Sequence, residues 1–94
     1  MAVKITFTGA HIVEQEIGGP GEMLDAEVKF VATFPDGQSF EGAARIKQTV
    51  GSRYEDKVIE VFPPTGLPQG REIPWDQFSP AATQYFTERI VKKN

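Results

Sequence analysis

The residues best suited to chemistry in this 94-residue chain are few and scattered. His11 is the single histidine, and it stands in "HIVEQE" with Glu14 and Glu16. A divalent metal needs ligands that converge on one point. On a regular strand Glu14 and Glu16 share a face and His11 takes the other. With no cysteine and no second histidine to complete a set, these side chains read as exposed strand polars. No serine can be matched to His11 and a carboxylate by spacing, so the requirements for nucleophilic catalysis are not met. The expectation leans against an enzyme and includes no catalytic residue, metal or cofactor.

The glycines of "GGPG" and "GLPQG" lack the spacing of phosphate-binding loops. "PPTGLP" lacks the PxxP period of polyproline ligands. That leaves the large and basic side chains toward the C-terminus. Arg71, Trp75, Phe78, Arg89 and Lys92 are the candidate interaction surface. Trp75 has two readings. It can plug the end of the core, which is the favoured one because a small domain needs every large side chain. Alternatively Trp75 and Phe78 stand partly exposed and anchor a partner or a second copy. The basic residues, if gathered at the helix end beside aromatics, would suit single-stranded nucleic acid, which needs a positive track and stacking platforms. A formal charge of −3 counts against that use.

The elements that must position these residues are clearer. "VKITFTG" alternates, with Val3, Ile5 and Phe7 on one side, and a bulge near Gly9 would restore the phase lost at Ile12–Val13. In "LDAEVKFVATF" the even positions from Leu24 to Phe34 are apolar. The same parity continues from Phe40 to Val50, with Gln48 as the exception. Between them "FPDGQSF" has Pro, Asp and Gly in the order of a type I turn closed by a glycine bulge. That turn sets Phe34 opposite Gln38. Ala32 then faces Phe40, Phe30 faces Gly42, and Ala26 faces Ile46. On the other face Glu27 meets Arg45 and Asp25 meets Lys47. Turn chemistry, alternation and charge agree on one register, and Asp36 reads as a turn residue.

"KVIEVF" (57–62) is a further strand. Its adjacent apolar residues suggest a central strand covered on both faces, or a bulge. Residues 63–74, "PPTGLPQGREIP", are a loop that prolines keep out of central pairing. A closing helix is expected from "SPAATQYFTERIVKK". Ser79 would be its N-cap and Pro80 its first residue, with Asp76 as a rival start. Ala82, Tyr85, Phe86, Arg89 and Ile90 make one stripe at helical spacing. Lys92 and Lys93 fall where the helix dipole favours cations.

The expected fold is therefore α+β: a single domain over 1–94, with an antiparallel meander of three to four strands and a C-terminal helix on its apolar face. Strands followed by one helix resemble, as architecture alone, a class of single-strand-binding domain, although no motif of such a family stands in the sequence. No apolar run approaches the roughly 20 residues of a membrane helix, and the N-terminal "MAVKITFTGA" has no apolar leader segment. A small cytoplasmic, non-enzymatic interaction or self-associating module is the expected function. Nucleic-acid binding comes second, and a small ligand held between sheet and helix third.

Overall fold

The structure, a computed structural model, describes residues 3–16, 22–51 and 57–91. Strands β1 (Lys4–Glu16), β2 (Glu22–Thr33), β3 (Ser39–Val50) and β4 (Lys57–Val61) form one antiparallel sheet in the order β1-β2-β3-β4. Helix α1 (Trp75–Phe86) runs into a π-helical turn at Thr87–Val91 and packs on one face of the sheet. This is the expected α+β meander.

The β2–β3 hairpin has the register its turn dictates. Phe34 N–H donates to Gln38 O at 2.9 Å, Gly37 N–H donates to Phe34 O at 2.9 Å, and Gly37 sits at φ +89°. Every pair from Thr33–Ser39 to Glu22–Val50 follows without a shift. Glu27 lies opposite Arg45 and Asp25 opposite Lys47. The ion pair that forms is diagonal, however. Arg45 Nε and Nη2 donate to the two Asp25 oxygens at 3.1 and 2.8 Å. A fork of two parallel bonds to one carboxylate outcompetes a single contact with the residue directly across.

β1 carries the bulge expected near Gly9, with Thr8 as the extra residue, and a second one at Val13. The second bulge corrects the reading of "HIVEQE". It brings His11, opposite Glu27, and Glu14, opposite Asp25, onto the same outer face. His11 Nε2 lies 3.8 Å from Glu27 Oε1.

The core lies between the other sheet face and the helix. β2 contributes its even residues from Leu24 to Ala32, with Phe34 just past its end, and β3 contributes Ala44 and Ile46. The helix contributes Phe78, Ala82, Phe86 and Ile90 at spacings of four. Phe30 is at the centre, 5.2 Å from the Phe78 ring and 6.2 Å from Phe7. Its ring tip lies against Gly42, where an added Cβ would come within 2.6 Å of the Phe30 ring and 3.0 Å of Thr65 O. A side chain there is excluded by close approach, the usual reason for glycine inside a strand.

Two expectations change. The helix starts at Trp75, not at Ser79 with Pro80 first. Phe78 N–H donates to Pro74 O at 2.9 Å, and Gln77 grips the start of β1. It accepts from Val3 N–H at 3.2 Å on Oε1, and its Nε2 donates to Val3 O. Burying Phe78 and making this clamp require one more turn. Pro80 therefore sits inside the helix on an exposed side, and the N–H it lacks removes one bond near the N-terminus. The second change is β4. It is an edge strand, not a central one, with Ile59 and Val61 turned inward and Val58 outward.

Candidate interaction surface

Among the described residues of the candidate surface, Arg71, Trp75, Phe78 and Arg89 do not form one patch. Arg71 is pinned in the fold. Its Nη2 donates to Asp36 Oδ2 at 2.6 Å, and its guanidinium lies 5.1 and 5.2 Å from the centres of the Phe34 and Phe40 rings. Asp36 also accepts from Gln38 N–H at 3.1 Å. Arg71 first, and that backbone bond second, hold the Asp36 carboxyl below its ordinary range. The same contact raises the Arg71 guanidinium. Asp36 is thus a turn residue that also ties the 63–74 loop to the hairpin tip.

Phe78 has no exposed surface, so it is a core residue and takes no part in a surface. Trp75 is the reverse. It is 47% exposed, which overturns its reading as a core plug. Its ring leans on Phe78 at 6.2 Å and borders a groove of about 430 Å3 formed with Pro63, Pro64, Leu67, Pro68 and Ile73. The prolines of the loop and the first helical turn make this groove together. The helix N-terminus therefore presents Trp75 on its flank and Phe78 to the core.

Arg89 is exposed and lies 5.5 Å from the Tyr85 ring centre, and Tyr85 stacks on Phe7 at 4.7 Å. Arg71 and Arg89 stand at opposite ends of the sheet. Arg71 meets the β2–β3 turn. Close after Arg89, Val91 reaches a hollow that it shares with Leu24, Gln48 and Val50 at the far end of the same hairpin. Among the described residues no basic cluster joins these two, and Lys92 lies outside the described residues.

The outer face of the sheet is open. A groove of about 400 Å3 runs between Arg45, Lys47, Phe62, Pro63 and Thr65. Among the described residues no group of His, Asp and Glu converges as a metal site. Among the described residues, the centre of the space between sheet and helix is filled by Phe30, Phe78, Phe86, Ile46 and Val28.

The sequence reading missed the flank next to Trp75. β4 leaves Val58 59% exposed and Phe62 38% exposed. Past Phe62 the loop continues along β3, with Thr65 N–H to Ala43 O at 2.7 Å and Ala43 N–H to Thr65 O at 3.0 Å. The signal for an edge was Pro63–Pro64, which cannot follow a strand paired on both sides. Phe62 adjoins Pro63 on the outer face, and Pro63 and Pro64 line the groove that Trp75 borders, whereas Val58 stands further along β4 on the outer face. Among the described residues no helix is long and apolar enough to cross a membrane. Comparison with protein-family models, curated proteins and solved structures finds no match for this chain.

Proposed function

We propose that this domain is a non-enzymatic protein-interaction module. It contacts a protein partner or another copy of itself through the flank that carries Trp75 and the proline loop. The observation that carries the reading is the exposure of the single tryptophan beside a proline-lined groove that Arg71 and Glu72 also border. Trp is strongly enriched among residues that dominate interface energetics, because a large rigid ring buries much area at little entropic cost. Exposed apolar clusters on a small domain normally mark contact sites. Nucleic-acid binding is the weaker reading, since Arg71 is spent on Asp36 and Arg89 lies at the other end of the sheet. A cytoplasmic setting belongs to the same proposal, and fractionation of cells expressing the tagged protein tests it.

Trp75→Ala is the test. The variant should melt cooperatively, with stability reduced by no more than about 1 kcal/mol, since half of the ring already lies outside the core. Its association, followed by light scattering, should weaken. As the only tryptophan, Trp75 also reports directly: its fluorescence should be that of a solvated indole in dilute solution and shift to the blue on association. An unfolded Trp75→Ala protein, at the roughly 3–5 kcal/mol cost of a truncated core aromatic, would restore the plug and remove this reading.

A further inference from the structure

The two edges of the sheet differ. β1 is bulged at Thr8 and again at Val13, so its outer row of N–H and C=O groups is broken and twisted away. Bulges of this kind are a standard way of blunting an edge. β4 has none. Its orientation follows from one bond: Phe62 N–H donates to Arg45 O at 3.0 Å. Bonding alternates along an antiparallel ladder, so Val58, Glu60 and Phe62 turn their main-chain groups to β3. Lys57, Ile59 and Val61 turn theirs outward, where no described strand pairs with them.

That outward row is self-complementary. Two copies of β4 related by a two-fold axis through Ile59 place Ile59 opposite the partner's Ile59, and Lys57 opposite the partner's Val61. In this register every outward N–H and C=O of β4 finds a partner, and side chains keep their faces. A shift of two residues either way strands one outward residue. Beyond Phe62, Pro63 and Pro64 end the ladder, so the pairing cannot creep toward the loop. On the outer face Val58 comes opposite the partner's Glu60, with the partner's Phe62 as its diagonal neighbour, within reach of a large ring. The two apolar side chains that β4 and its exit leave exposed, Val58 and Phe62, thus meet across the seam.

We propose that β4 pairs edge to edge with β4 of a second copy, antiparallel and centred on Ile59, so that the two sheets become one. The inference rests on the interaction reading above and names its partner as a second copy. An edge of five residues buries little area, so the contact is weak and strongly concentration-dependent.

The experiment combines sedimentation equilibrium over a concentration series with amide exchange on the full chain and two variants, Val58→Lys and Val58→Glu. Both replace an exposed side chain, so the monomer's melting should hold. The wild type should form dimers. Exchange at the outward amides of Ile59 and Val61 should slow as concentration rises. Lysine at 58 faces the partner's Glu60 and should tighten the dimer roughly threefold to tenfold, while glutamate there should weaken it by a similar factor. A monomer at every concentration overturns the proposal. A dimer whose Ile59 and Val61 amides exchange at a constant rate also overturns it, and leaves the Trp75 groove as the contact. Equal weakening by both substitutions overturns the register centred on Ile59.

Discussion

The carboxylate of Asp36 faces two donors from different parts of the chain, the Gln38 N–H inside its own turn and the Arg71 guanidinium from the loop after β4. Because its folded pKa is depressed, the contact stabilises fully above the ordinary carboxylate range and is lost as pH falls through the depressed value. Stability measured by urea titration should therefore drop on acidification at the low end of the pH scale, and Asp36→Asn should flatten that part of the profile while lowering the plateau slightly. The turn itself was legible in the sequence, since Pro-Asp-Gly between alternating strands admits one geometry. The Arg71 contact was not legible, since nothing local links positions so far apart in the chain. Gly42 is a second residue whose role appears only in space. Gly42→Ala would press a methyl into the Phe30 ring and should cost about 1–3 kcal/mol, as overpacking commonly does, read as a fall in the denaturation midpoint.

Elements were legible where several local signals agreed. The hairpin had turn chemistry, alternation and opposed charges together, and its register followed residue by residue. The loss of phase at Ile12–Val13 announced an irregularity in β1 and was assigned to one bulge near Gly9, although a second bulge lies at Val13 itself. The helix start was misread because "SP" is a strong local cap signal. The tertiary demand of Phe78 and the Gln77 clamp overrode it. Ser79→Ala should accordingly change stability by less than about 0.5 kcal/mol. Gln77→Ala, which loses both bonds to Val3, should cost about 1–3 kcal/mol by the same chemical denaturation. Gln48, which breaks the apolar parity of β3, faces Leu24 and Ile59 across the ladders, and its Oε1 is buried with no partner among the described residues. An unsatisfied buried acceptor costs about 1–3 kcal/mol, so Gln48→Met should raise the melting temperature.

At the scale of the whole molecule the long hairpin dominates. The described residues extend 48 × 22 × 21 Å with a radius of gyration of 14.5 Å, against about 12 Å for a compact domain of this length. The helix runs along the sheet from Gln77, beside Val3, to Val91, beside Leu24 and Val50. Amides of Val28–Ala32, beneath Phe78, should exchange slowest, and those near Met23 and Thr49 much faster, in a native-state exchange experiment. The exposure of Val58, Phe62 and Trp75 was not legible, because the sequence shows that they are apolar and not which of them the fold leaves uncovered.

The two bulges of β1 also decide how many molecules an edge contact can recruit. Once two copies of β4 have paired, the edges left on the dimer are both β1; if those were straight, β1 could pair with β1 of a further dimer and growth would continue into a filament. With Thr8 and Val13 out of register the far flank is a chain terminator, and polymerisation stops after one addition. Deleting Val13, which keeps Glu14 and the residues beyond it aligned with β2, would remove half of that terminator. The deleted protein should scatter light as species larger than dimers and bind amyloid-sensitive dyes on standing, while the parent chain stays finite.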